Sequence, residues 1–548
     1  MLSFPAEKEG GSEKSLSLSA NSSRDSTGDG PLSRASTPRI PSFDSQDQIL
    51  HAIIIPSYKE DIDTMRETLA VLASHSMAKS SYDVYLAMEQ RDPDAENTAV
   101  QLIKIFSSKF RTISFTLHPG DISGEVAGKS SNVSWAARQL SHNYMDNELR
   151  KRCIITVMDS DTHLKSSYFI LMTQHHRENL HKAATTMYVT PIIFDRNSHM
   201  VNPLVRTADI FWCGAGLSGL YKGSPICIPT SVYSLAMTLA GQVGGWDTGA
   251  DSIGEDLHMF LKCYFASSGR FHTKIIFSPA SQSNVSSDSK GLRGALSNVK
   301  SRYKQAMRHM WGALDTGYAI EKALERLWKK NDEKLSGWLS NTNDPAERVP
   351  TWINDTNLKH FTPPNLPSDL PSTPKSTPSM SPLSLIILFH RLYEAHFLPA
   401  HVTVGLFSGI IYAALVPPVI IHPVILWALS FTGTLRFIGF CLLTFYMYLY
   451  ESYHSLCVRT REEEMKKAGL YERMQGGFSH RTWRRNFIDY CLLPVTGTLF
   501  GTVPGVQAEL SHFWTDRLVY TVSAKPQLRK DVEEELLLSH EEGGVELV

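Results

Sequence analysis

The residues best suited to chemistry begin with Asp159-Ser160-Asp161, which directly follows the apolar stretch CIITVM. Two carboxylates at i and i+2 on a loop can turn toward one hard cation, and that cation can hold a diphosphate. Any acidic turn after a strand gives the same pattern without metal, so its neighbours must decide. Upstream, GKSSNVSWAAR puts Lys129 and Asn132 at the start of a helical stretch. A lysine beside helix N-terminal N–H groups suits a diphosphate or a nucleotide. The segment is not a P-loop, because Gly124 stands one residue too close to Gly128-Lys129 for that spacing. Downstream, Gly254-Glu255-Asp256-Leu257 opens the apolar run LHMFLKCYF. A carboxylate there can take a proton from an attacking hydroxyl, or it can simply complement the helix dipole. In YKQAMRHMWG, Gln305 and Arg308 share a helical face, with Trp311 one further turn along. A guanidinium can neutralise a departing diphosphate and an indole can stack on a sugar; the plainer reading is an amphipathic helix with a core tryptophan.

Something must hold these groups together. HAIIIPSY is an apolar strand closed by Pro56, DTMRETLAVLASH has helical periodicity, and YDVYLAME is a second strand. NTAVQLIKIFSSKF is a helix, ISFTLH a third strand, SNVSWAARQLSHNYM a helix, and RCIITVMDSDT a strand ending in acids. Strands alternating with helices predict an α/β fold, a mostly parallel sheet with helices on both faces. Ligands of such sheets bind at the carboxyl ends of the strands, which is where most of the polar motifs fall.

This α/β domain spans residues 49–330, after a Ser/Gly/Asp-rich tail over 1–48 that reads as disordered. A Pro/Ser-rich linker over 331–382 follows, then a membrane region over 383–522 and an acidic tail over 523–548. Residues 402–421 carry no charge over a bilayer's worth of helix, and 424–450 form a second span holding only Arg436. Pro417-Pro418 marks a kink or the turn between them. SLIILFHRLYEAHF reads as an interfacial helix, and YCLLPVTGTLFGTVPGV as a third span or a re-entrant element. The basic stretch after residue 457 predicts, by the positive-inside rule, that it faces the cytosol with the α/β domain. The start of the chain has no signal-peptide pattern, and its seven cysteines include no C-x-x-C pair, as expected in a reducing compartment. The sequons at Asn21, Asn132, Asn284 and Asn354 would then stay unglycosylated. Lys+Arg of 54 against Asp+Glu of 55 gives no sign of nucleic-acid binding.

The order of these motifs resembles the family 2 glycosyltransferases, which include cellulose, chitin and hyaluronan synthases and ceramide glucosyltransferase. The series is Pro56 and Glu60, Glu89, Lys129 and Asn132, the acidic pair, Glu255-Asp256, then Gln305, Arg308 and Trp311, with membrane spans after. The resemblance implies a GT-A fold, an inverting mechanism, Mn2+ or Mg2+, and a nucleotide-sugar donor, often a UDP-sugar. It implies Asp159 and Asp161 as donor and metal acids, and Asp256 as general base with Glu255 beside it. Pro56, Glu60, Glu89, Lys129 and Asn132 would frame the donor, and Gln305, Arg308 and Trp311 the acceptor and diphosphate. Three features depart from the family pattern. Glu89, with Asp92 nearby, stands where an Asp is usual; Trp311 comes two residues late; and FWCGAGLSGLY matches the glycine-rich loop only loosely. Trp246 fits an acceptor contact and a core position equally. The acceptor, a polysaccharide or a lipid, and processive or single transfer stay open. The competing class is a non-catalytic membrane scaffold with a degenerate domain.

Overall fold

The computed structural model describes residues 48–267, 270–286, 291–336, 381–474, 477–516 and 518. The expected N-terminal tail, most of the linker and the acidic C-terminal tail lie outside these residues, as do the Asn21 and Asn354 sequons. Among the described residues there are nine strands: β1 Leu50–Ser57, β2 Tyr82–Glu89, β3 Thr112–His118, β4 Cys153–Val157, β5 Thr186–Val189, β6 Ile192–Phe194, β7 Tyr233–Ala236, β8 His272–Ile275 and β9 Ala280–Gln282. Seven form one sheet in the order β3-β2-β1-β4-β7-β5-β8, and β6 pairs with β9 in a small second sheet. The first four strands are parallel neighbours, whereas β7 runs antiparallel to both β4 and β5. The expected mostly parallel α/β architecture is present.

β1 shows why the sheet is central. Leu50, Ala52 and Ile54 enter one hydrophobic cluster while Ile53 and Ile55 enter another, and all five are buried. A strand apolar on both sides needs helices on both faces. The Lys129–His142 helix contributes Val133, Ala136 and Leu140 to the first cluster. The Ile62–Ala73 and Ala95–Phe106 helices contribute Leu69, Leu72, Ala99 and Leu102 to the second. Asp61 caps the first of these, accepting from the Thr64 N–H at 3.2 Å.

Two helices, Leu398–Leu415 and Pro423–Lys467, are long and apolar enough to cross a membrane. Pro417 and Pro418 lie in the turn between them. Val404, Phe407, Ile410, Trp427, Phe437 and Leu442 are exposed along them, as is Arg436. Both ends of this pair return to the α/β domain: Leu388 and Leu392 before it sit in the first core cluster, and Met447, Tyr450, Val458 and Met465 in the C-terminal half of the second helix are buried. The stretch expected as a basic loop after residue 457 therefore begins as ten more residues of helix, because that turn of the helix still has a surface to pack on. The last apolar stretch folds as the Phe487–Gly497 and Val503–Ser511 helices joined by a π-helical turn. It packs on the Pro203–Ser218 and Gly291–Met310 helices, and it is not among the two long apolar helices.

Candidate active site

β4 ends at Val157, and the chain turns at its carboxyl edge through Asp159 and Asp161. Asp159 keeps 30 % of its side chain exposed; Asp161 is buried, and its carbonyl accepts from Arg196 Nη1 at 2.6 Å. Lys129 lies at the first turn of its helix, capped by Gly128. Its Nζ lies 2.8 Å from Asp159 Oδ1 and 3.0 Å from Glu255 Oε2. One ammonium thus joins acids nearly a hundred residues apart. Burial works against this ammonium, but Asp159, Glu255 and Asp256 outweigh it and hold Lys129 above the usual lysine range.

Glu255 and Asp256 open the Glu255–Ala266 helix and have different surroundings. Glu255 is buried, accepting from Tyr233 Oη, whose oxygen in turn accepts from Trp246 Nε1 at 2.6 Å. Burial raises its carboxyl, with Lys129 opposing. Asp256 is half-buried; its Oδ2 accepts from the Ser231 N–H at 2.6 Å and its Oδ1 from the Leu257 N–H at 2.9 Å. Of the two, Asp256 is the carboxylate that solvent, and so a hydroxyl, can reach. Trp246 belongs to the core through its ring and to the site through its N–H.

Behind this turn, His258 Nδ1 pairs with Asp315 Oδ1 at 2.8 Å and Nε2 with Asp247 Oδ2 at 3.1 Å. Burial alone would lower the imidazole, but the two carboxylates prevail and lift it to about 9. Burial pushes Asp315 up to about 7 against the pull of His258. A Cβ on Gly254 would sit 2.7 Å from Asp315 Oδ2, so the residue before Glu255 must be small.

The other expected residues take these places. Pro56 pairs with Ala87 at the end of β1, and Glu60 follows Lys59, which has a positive φ of 55°. Glu89 is buried and accepts from Arg91 Nε at 3.0 Å; Asp92 accepts from the Lys59 N–H at 3.0 Å. Burial raises Glu89, with Arg91 opposing. Asn132 is buried and donates to the Ala87 carbonyl at 2.7 Å, tying its helix to β2. Asn284 of another sequon is buried too, its side chain donating to Asp209. Gln305 and Arg308 lie half-buried on the Gly291–Met310 helix. Trp311 is buried with Met307 and Ala508, donates to the Asp516 carbonyl at 3.2 Å, and meets His512 edge-on. Ile253, just before Gly254, packs against the same cluster, so this helix end adjoins the Glu255 turn.

Three participants had no sequence signal: Ser231, Gln282 and Asp315. Each reaches the site from a segment whose partners are remote in the chain. Gln282, on β9, donates to Thr162 Oγ1 at 2.9 Å, Ser231 Oγ at 3.0 Å and Asp159 Oδ2 at 3.3 Å.

Among the described residues no three His, Cys, Asp or Glu side chains form a group able to hold a metal by themselves. Asp159 instead presents a part-exposed hard oxygen donor, already neutralised by an ammonium. The Lys129 ammonium, 2.8 Å from Oδ1, holds the place a cation would take, so a divalent ion there would have to displace it and draw its remaining ligands from outside the chain.

No curated protein matched the chain. Solved structures that match include the mannosyltransferase PcManGT from Pyrobaculum calidifontis in complex with GDP-Man and Mn2+, at 10 % identity and TM-score 0.39, over 71 % of this chain and 81 % of that one. S. aureus TarS matches at 10 % identity and TM-score 0.29, over 50 % of this chain and 41 % of that one. The family model described as glycosyl transferase family group 2 matches residues 154–447, more than half of the chain, taking in the Asp159 turn and the Glu255–Asp256 pair. The chain belongs to the family 2 glycosyltransferases.

Proposed function

We propose that this protein is a membrane-anchored, inverting, metal-dependent glycosyltransferase that moves a sugar from a nucleotide-sugar, a UDP-sugar in the first instance, to a carbohydrate or lipid acceptor. The observation that carries this reading is the Lys129 bridge, which gathers Asp159, Glu255 and Asp256 at one sheet edge. Asp159, with Asp161 behind it, would hold a divalent cation together with the donor diphosphate; when bound, that cation supplies charge screening for the leaving group. Lys129 then has phosphate oxygens as an alternative partner to Asp159. Asp256 takes the proton of the acceptor hydroxyl as that oxygen attacks the anomeric carbon from the face opposite the diphosphate. One displacement inverts that centre. Pro56, Glu60, Glu89 and Asn132 belong to the donor side of this reading. Gln305, Arg308 and Trp311 belong to the acceptor and diphosphate side, with Arg308 as the counter-charge to the departing group.

The two long apolar helices support a hairpin in a lipid bilayer, and both of its ends pack on the catalytic domain. Arg459, Lys466, Lys467, Arg484 and Arg485 lie on that same side, which the positive-inside rule assigns to the cytosol. The test is Asp256→Asn, read as nucleotide released from a panel of nucleotide-sugars with Mn2+ or Mg2+. Transfer should vanish while donor binding stays near wild type; an active variant would refute the base assignment.

A further inference from the structure

Ser231 touches both halves of the site at once. It lies just before β7, with its backbone in the left-handed region at φ 49°. Among the described residues Lys59 is the one other non-glycine with positive φ. Such a conformation is costly for a residue with a Cβ and persists only where its surroundings dictate it. Here three groups of one residue each serve a different partner. The N–H donates to Asp256 Oδ2 at 2.6 Å, the carbonyl accepts from Lys129 Nζ at 3.4 Å, and Oγ accepts from Gln282 Nε2 at 3.0 Å. The same Gln282 amide reaches Asp159 Oδ2. From Asp159 to Asp256 there is therefore a continuous path of hydrogen bonds, and every link but the Gln282 amide passes through Ser231.

We propose that Ser231 is a positioning residue whose left-handed backbone couples the donor-side carboxylate, Asp159, to the acceptor-side carboxylate, Asp256. This rests on the reading of Asp256 as the base. An N–H aimed at Oδ2 leaves the carboxylate little freedom to rotate, so the lone pair that meets the acceptor hydroxyl is chosen in advance. The direction of that N–H follows from φ and ψ, not from the side chain. A residue forced back to negative φ would swing the N–H away from Asp256 and the carbonyl away from Lys129 together. Gln282 gives the link its donor-side sensitivity. When phosphates or a cation draw on Asp159, the amide is left to Thr162 and Ser231, and the Ser231 backbone is held more firmly.

The test separates backbone from side chain. Ser231→Gly and Ser231→Asn both tolerate positive φ and give up only the Oγ bond to Gln282, so their kcat should fall no further than that of Gln282→Met and well short of the fall in Ser231→Val. Ser231→Val, β-branched and excluded from that region, should lower kcat on the order of 100-fold, the usual effect of an ångström of misplacement, with donor KM little changed. A Val variant with wild-type kcat overturns the proposal, as does a loss of equal size in Gly, Asn and Val. Should Val not fold, Gln282→Met carries the test: it removes the amide at near-constant volume and should lower kcat at unchanged Tm, and a wild-type kcat there overturns the coupling. Asp256→Asn runs alongside. If it stays active, the base reading itself fails; if it is dead while Ser231→Val and Gln282→Met behave as wild type, only the positioning role fails.

Discussion

Replacing Lys129 by methionine removes the ammonium that Asp159 and Glu255 share. Each contact, near 3 Å, represents about 5 kcal/mol of gross Coulomb attraction at an effective dielectric constant of about 20. The net cost is smaller, because Glu255 has another way out. Its carboxyl is buried and already raised above its ordinary 4.5, with Lys129 pulling it back. Without the lysine it takes up a proton instead of remaining a buried anion. Protonating a group of ordinary pKa 4.5 costs about 3 kcal/mol at pH 7 and about 1 kcal/mol at pH 5.5, and these values cap the destabilisation. Asp159 adds little, since part of it faces solvent. The sign follows: a carboxyl raised in the folded state favours folding at low pH and loses that advantage as pH rises. The Tm gap between wild type and Lys129→Met, measured in one detergent, should be several degrees at pH 7 and about a third of that at pH 5.5. An infrared carbonyl band for one protonated carboxyl should appear in the variant at pH 7. A gap equal at both pH values, or larger at pH 5.5, would refute the argument that Glu255 relaxes by protonation.

Three further outcomes follow from the same geometry. Gly254→Ala sets a Cβ 2.7 Å from Asp315 Oδ2 and should cost about 1–3 kcal/mol in thermal unfolding, with part of it restored by Asp315→Ala in the same chain. His258, held at about 9 against an ordinary 6.5, contributes stability that is complete below pH 6.5 and lost as pH rises through about 9. The Tm advantage of wild type over His258→Gln should therefore shrink across that window, and an advantage that grows would contradict the pairing with Asp247 and Asp315. Asp489 is buried and accepts from Arg206 at 2.8 and 2.7 Å, with Arg481 2.9 Å away. Asp489→Ala leaves the buried Arg481 and the half-buried Arg206 short of a carboxylate and should cost about 3–5 kcal/mol, read as a fall in Tm.

The first half of the sheet was legible because each strand there is written locally. LHAIIIPS and CIITV are short apolar runs between polar turns, and parallel pairing of β1, β2, β3 and β4 requires only intervening helices. The position of Asp159 at a strand end followed directly, as did the helix starts at Lys129 and Glu255. β7 was not legible. YSLA is four residues long, and its antiparallel place between β4 and β5 depends on partners far away in the chain. Ser231 was invisible for a related reason: nothing in PTSVY announces a positive φ, which arises from the bonds its backbone makes to Lys129 and Asp256. Asp315 reads in sequence as an ordinary acid at a helix start, yet it is buried against His258. Trp311 was legible only in part: its indole N–H is directed at the Asp516 carbonyl, a partner that QAMRHMW does not announce. Its ring is covered by residues two hundred positions further on.

The Pro423–Lys467 helix is 45 residues long, about 68 Å from end to end. Its last turns are stitched into the α/β domain. Glu464 accepts from the Ser166 N–H at 2.7 Å, serving as cap for a helix that begins five residues after Asp161. Arg461 reaches His163 Nδ1 at 3.2 Å, and Val458 and Met465 are wholly covered. A chain stopped after residue 336 would leave that helix start without its cap and would bare Val71, the partner of Met465. The half of the chain before the apolar helices accordingly depends for its packing on residues that follow them. Attempts to express it alone should yield a sticky, poorly ordered product, and adding back residues 447–474 as a separate peptide should restore the Ser166 cap and the cover over Val71 but not the packing that Leu388, Leu392 and the Phe487–Gly497 and Val503–Ser511 helices supply.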